Sequence, residues 1–267
     1  MGFPQPQTAL DAKQAPPAPK TAQDWLNLLA TRPEQAFPNI SRSEVVDGLR
    51  DRLAEPTHID QANTSLCGPA SLMYCLASAK PALYAQYVVE LYQTGRSTIG
   101  RLTVEPGADC KAYKATAAGG IHPVDWVALA SLRDSENDAF DYDAPSCEAG
   151  GITMPGDLLD WFKDVGFSKD ANVTNLVFTK GEDVLTAASG RRDQNHNVCL
   201  FINANMLEKP DEDSWTPDHW VVLRSAVAVG GGRAKFSVYT WGGVRAVDQP
   251  VGDVCENFYG YISSSAT

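Results

Sequence analysis

Apolar positions recur at helical spacing through the first two thirds of the chain and at every second residue in the last third. Helices followed by an antiparallel sheet are therefore predicted, an α+β layout. Trp25, Leu26, Leu28 and Leu29 share one side of a helix over 21–33, stopped by Pro33. Ser41 with Glu44 three residues on is a capping box that opens a helix over 41–56, ending before Pro56. From Cys67, the positions Leu72, Cys75, Leu76 and Ala79 repeat at three and four, and Pro69 suits a first turn, where its missing N–H costs nothing. Further helices are predicted from Pro81, over 122–134 and over 153–167, the last with Thr153 as N-cap, Pro155 in its first turn and Gly166 at its C-cap. Strands are predicted over 197–204, 219–229, 234–241, 244–249 and 258–263, with glycine turns at 230–232 and 242–243. The stretch 134–151 reads as loop, and no internal repeat is present.

Composition divides the chain. Residues 1–20 hold five prolines among Gln and Ala, which cannot build a core and predict a disordered arm. Residues 21–56 form a helical preface, and 57–267 the main domain. With 267 residues and 43% hydrophobic content the chain can bury a sizeable core. No apolar run approaches the roughly 18 residues of a membrane span, so no span is expected. The start lacks the basic and apolar regions of a secretory signal, so the protein is expected in the cytoplasm of the producing cell or exported without a signal peptide. A net charge of -11 argues against a nucleic-acid partner, and the acidic stretch 208–218 reads as a solvated loop. Six cysteines without close regular spacing argue against a disulfide framework. The absence of a C-x-x-C pair and the scatter of four histidines argue against a zinc site, and no cofactor is implied.

One stretch carries candidate chemistry. Cys67 stands before Gly68 and Pro69 at a predicted helix start, where free N–H groups and the positive end of the macrodipole stabilise a thiolate. Gln61, six residues upstream, can offer its amide to an oxyanion. Cys75 lies in the middle of the same helix and reads as a core thiol. A thiolate nucleophile needs a histidine to hold and return the proton. His219 opens the strand "HWVVL" and is the best placed; His58, His122 and His196 read as structural, in an approach loop, at a helix start and in a polar turn.

Gln61, then five residues, then Cys67-Gly68-Pro69-Ala70, a helix ending in Gly166-Phe167, a strand, and His219-Trp220-Val221-Val222-Leu223 together resemble the papain-like cysteine peptidases. The likeness is greatest to the branch that processes bacteriocin leaders, and it covers about 57–80 and 153–245. It implies a papain-like fold with Cys67 as nucleophile at a helix N-terminus, His219 as base and acid on the sheet, and Gln61 as oxyanion donor. The family orients its histidine with Asn or Asp on the next strand, and here Tyr239-Thr240-Trp241-Gly242 stands in that place. Tyr239, Thr240, Asp248 or no third residue at all are the open choices. The reaction implied is hydrolysis of an amide, as a peptidase or amidase, through an acyl-enzyme. Protein, peptide or peptidoglycan are the substrates to consider. Glutamine deamidation or transglutamination, and a papain-like binding module without activity, are the alternatives. The free-standing acidic chain with its arm also resembles bacterial effector toxins, for which a secretion machine and an immunity protein would be partners.

Overall fold

The computed structural model describes residues 20–118, 120–136, 153–192, 196–207 and 216–266. All of the predicted arm but Lys20, most of the loop at 134–151, and residues 208–215 of the acidic stretch lie outside the described residues.

The helices come first, as predicted. Helix α1 (Ala22–Thr31) and α2 (Arg42–Ala54) each open with a capping box, Thr21 with Asp24 and Ser41 with Glu44. Helix α3 (Cys67–Ala79) is apolar all round, and every residue from Cys67 to Ala77 is buried. A helix without a polar face must be surrounded. It is packed by α4 (Pro81–Thr94), by α8 (Pro155–Asp164) and by a helical run over 123–135. That run comprises α6 (Pro123–Asp125), one wide π-type turn over Trp126–Ala130, and α7 (Ser131–Ser135). Between them lie a hairpin not foreseen in the sequence, β1 (Ser97–Ile99) with β2 (Leu102–Val104), and the short α5 (Ala108–Ala112).

Helix α8 departs from expectation at its start. Its N-cap is Met154, and Thr153 makes no capping bond. Thr153 is held elsewhere: its carbonyl accepts the Trp220 indole N–H at 2.9 Å, and its side chain packs over Gly68. The end is as expected, with Gly166 at φ +83° and Phe167 N–H closing back to Phe162.

The sheet is antiparallel throughout, in the order β3 (Ala171–Asn172), β9 (Phe258–Ser265), β4 (His196–Ile202), β5 (His219–Leu223), β7 (Arg233–Thr240), β6 (Ala228–Gly230), with β8 (Gly243–Pro250) also paired to β7. The strand predicted over 219–229 is broken in two. Arg224 and Ser225 both donate their N–H to the Ser237 carbonyl, at 2.8 and 3.4 Å, an extra residue that ends β5 and sets β6 apart.

Both faces of this sheet are covered, and the alternation is clear. Cys199, Phe201, Trp220, Val222 and Tyr239 face the core shared with α1 to α8. Val198, Leu200, Ile202, Val221, Leu223 and Val238 face a second core, closed by α9 (Glu182–Arg191) and α10 (Val251–Glu256). Burial on both faces explains why "HWVVL" is apolar without interruption. The helical preface is not a separate layer, because Leu26, Leu29, Val45 and Leu49 sit in the same core as α3.

An ion pair ties α2 to the run at 123–135. Arg52 donates to Asp125 at 2.7 and 3.3 Å, and Asp60 N–H adds a third bond at 3.3 Å. Asp125 is fully buried, and burial pushes its carboxyl up to about 6 against the pull of Arg52. Removing one partner leaves a buried charge unpaired, so Arg52→Leu is expected to cost about 3–5 kcal/mol, with the double change to Leu at 52 and 125 costing less than the single. Urea unfolding measures both, and an Arg52→Leu variant as stable as the native protein would contradict this reading.

Candidate active site

The buried start of α3 meets the first residue of β5. The backbone on either side of His219 frames the Cys67 sulfur: the Asp218 carbonyl lies 3.9 Å from Sγ, and the Trp220 N–H points to the sulfur, as do those of Gly68 and of Cys67 itself. This packing of helix N-terminus on strand start sets the Cys67 sulfur against the backbone on either side of His219. Gly68 is required by it: a Cβ there would stand 2.2 Å from Thr153 Oγ1.

His219 is held on two sides. Its Nε2 lies 2.7 Å from Thr240 Oγ1, and its ring stacks on Trp241 with centroids 4.4 Å apart and planes 12° apart. Of the choices left open by sequence, Thr240 is therefore the residue that touches the imidazole. Tyr239 is engaged elsewhere, stacked on Tyr74 at 4.0 Å and donating its hydroxyl to the Ile59 carbonyl at 2.6 Å. Asp248 is exposed on β8 and paired with Arg233 and Lys235 at 2.7 and 3.1 Å. That placement excludes it from the site as described.

The hairpin turn between β7 and β8 explains how Trp241 reaches the ring. Thr240 pairs with Gly243, so Trp241 and Gly242 form a two-residue turn with φ of +44° and +66°. Positive φ at both central positions is the twist that two-residue hairpins require, and a bulky residue adopts it at a cost. Gly242 packs so closely on Asp60 that a Cβ would meet its side chain at 2.9 Å. The guanidinium of Arg245 lies 4.4 Å from the Trp241 ring centroid, a contact that nothing in the sequence pattern signalled.

Gln61 is buried, and its Nε2 donates to the Thr64 carbonyl at 2.7 Å while Thr64 Oγ1 donates back to the Gln61 carbonyl at 2.6 Å. Its amide thus closes the turn that leads into α3. Two hollows of about 470 and 290 Å³ flank this turn, sharing Asp60, Ala117 and Gly120, and Gly242 lines the second.

The electrostatics run against the expected thiolate. Three backbone N–H groups favour Cys67 S⁻, as a helix start should, yet burial outweighs them and pushes the thiol up to about 11. Burial, helped by the charge of Arg245, lowers His219 to about 3. The resting pair is therefore neutral thiol and neutral imidazole. The physical reason is desolvation: Cys67 is 2% and His219 4% exposed.

The remaining histidines keep structural partners. His58 Nδ1 lies 3.0 Å from Asp51, and His122 is the N-cap of α6, accepting from Val124 N–H at 3.3 Å. His196 begins β4, where a polar turn was expected, with Nε2 3.8 Å from Asp170. Cys75 is buried in the core, as expected of it. Among the described residues no group of three His, Cys, Asp or Glu is arranged to hold a metal, and no helix is long and apolar enough to cross a membrane.

Comparison with protein-family models, with curated proteins and with solved structures finds no match for this chain.

A neutral buried thiol predicts slow alkylation. In the native protein near pH 7, iodoacetamide is expected to modify half-buried Cys255 ahead of Cys67, with the Cys67 rate climbing about tenfold per pH unit toward its raised value. A Cys67 rate already at its plateau at neutral pH would contradict this. The histidine predicts a second effect. The folded protein keeps His219 neutral down to about 3, whereas the unfolded chain protonates it near its ordinary 6.5. Between those values the unfolded state binds more protons, so stability falls as pH drops from 6.5 toward 3. His219→Asn is expected to flatten that acid limb in thermal unfolding, and identical limbs would count against a buried neutral imidazole.

Proposed function

We propose that the chain is a cysteine hydrolase of papain-like type that cleaves an amide bond, with Cys67 as nucleophile, His219 as general base and acid, and Thr240 as the residue that orients the imidazole. One observation carries the reading. The backbone flanking His219 frames the Cys67 sulfur, while the Nε2 of the His219 ring is engaged by Thr240. With Nε2–H donated to Thr240 Oγ1, Nδ1 is left with its lone pair for the thiol proton.

The steps follow from that tautomer. The sulfur attacks the amide carbonyl and forms an S–C bond as the thiol proton passes to Nδ1, so charge separates as the bond forms and not in the resting pair. The tetrahedral oxyanion is met by the N–H groups at the start of α3. The C–N bond then breaks, and the imidazolium returns its proton to the leaving amine. Water, deprotonated by the neutral imidazole, cleaves the thioester and restores the thiol. Gln61 Nε2 gives one of its two N–H groups to the Thr64 carbonyl and so fixes the turn before α3, and the second N–H is the one it can offer to an oxyanion.

A second reading is favoured by one specific observation. The near-complete burial of Cys67 and its raised thiol suit a papain-like binding module without activity. The acidic charge and the Pro-rich residues 1–20 support an effector that acts on a protein or peptide, whichever reading holds.

The test is turnover. Purified protein is incubated with a proteome, with peptidoglycan and with glutamine-containing proteins, and products are read by mass spectrometry against Cys67→Ala. New amide cleavage that vanishes in Cys67→Ala and falls about 10²–10⁴-fold in His219→Ala is the expected result. Thr240→Val should slow turnover less, since the ring keeps its stack on Trp241. A gain of about one mass unit on glutamine would move the reading to deamidation, and no Cys67-dependent product from any substrate would favour the binding module.

A further inference from the structure

The helix and strand that carry Cys67 and His219 also build a second, separate feature at their other ends. Tyr74 and Ser78 near the end of α3 and Arg224 just past β5 line a pocket of about 220 Å³ together with Arg192, His196 and Asn197. The nearest residues of this pocket, Tyr74 and Val222, stand seven residues of helix from Cys67 and three of strand from His219, roughly 10 Å along either element. It is distinct from the site above.

Its charge stands out in a chain of net charge -11. Arg192 follows the C-terminus of α9, and Arg224 stands over the Tyr74 ring, 5.4 Å from its centroid. Among the described residues neither guanidinium is paired with a carboxylate. Glu55 feels Arg224, but its own carboxylate is taken by Thr57 Oγ1 at 2.6 Å, and Asp170 stands 3.8 Å from His196 Nε2. Two cationic forks from different elements thus border one small polar hollow, with hydroxyl and amide groups of Tyr74, Ser78 and Asn197 beside them.

We infer that this pocket binds the phosphate group of a small molecule, the two arginines taking one dianionic head group from two sides. A carboxylate carries a single charge and needs one guanidinium, whereas a phosphate monoester carries about two at neutral pH and offers three acceptor oxygens. The volume lies below that of pockets enclosing drug-sized ligands, so a head group fits and a whole nucleotide does not. The Tyr74 ring holds Arg224 in place from below, and the Tyr74–Tyr239 stack fixes that ring in turn.

The experiment is calorimetric titration of the full chain at constant ionic strength with inorganic phosphate, glycerol phosphate, a phosphoserine peptide and acetate. Saturable binding of phosphate and glycerol phosphate is expected, without binding of acetate. Affinity should fall roughly 10- to 100-fold in Arg192→Ala and in Arg224→Ala, the loss of one charge-assisted contact. Arg224→Lys, which keeps the charge and the stem against Tyr74, guards against loss of fold and should retain part of the affinity. Cys67→Ala should bind as the native protein does, which keeps this result independent of any hydrolase activity. Absence of saturable phosphate binding, or equal binding in the native protein and both alanine variants, would overturn the inference. So would a phosphoserine peptide bound far more tightly than either small anion, since the ligand would then be a modified protein.

Discussion

The burial of α3 on every side is the constraint from which the rest follows. A helix that begins Cys-Gly-Pro-Ala and continues without a polar face cannot lie at a surface, so other helices enclose it and the sheet closes the remaining side. That enclosure seats the Cys67 sulfur between the carbonyl and amide groups that flank His219. It also removes water from both side chains. The opposite shifts of thiol and imidazole have this one cause, and desolvation outweighs the helix dipole because the dipole acts over one turn whereas burial surrounds the sulfur.

The imidazole depends on a turn as much as on a strand. Thr240 supplies the bond to Nε2, and the next residue, Trp241, lies flat on the ring because the hairpin forces it to positive φ. Strain of this kind persists where surroundings over-determine it. Here Gly242 is locked on Asp60, and Asp60 is tied through its own N–H to the buried Asp125–Arg52 pair. The N-terminal helices thus reach the candidate site through one chain of contacts, which explains why α2 belongs to the same core as α3.

Much of this was legible in the sequence. The periodicity of 67–79, the Pro155 to Gly166 frame of α8 and the alternation of the last strands are local signals, and local rules read them. Cys67 and His219 were candidates from their places at a helix start and a strand start, and the long-range resemblance is what joined them as a pair. What escaped was set by tertiary packing. Helices α9 and α10, which cover the second face of the sheet, have weak apolar stripes of few residues. Thr153 looked like an N-cap, but Gly68 left a space that its side chain fills. The ionisation of Cys67 was read from the helix start alone, and only the three-dimensional enclosure reveals that burial prevails. Thr240 could not be chosen over Tyr239 or Asp248 without the hairpin register, which turns Tyr239 into the core and leaves Asp248 among cations at the surface.

The central claim is a neutral His219 with its proton on Nε2 toward Thr240 and a bare Nδ1 for Cys67. Nitrogen NMR of the imidazole rings reads this directly, since the chain has four histidines and His219→Asn identifies the signal. Across about pH 5 to 8, where an ordinary histidine titrates, His219 is predicted to stay constant with a protonated Nε2 and an unprotonated Nδ1. A ring that titrates in that range, or that carries its proton on Nδ1, would contradict the account.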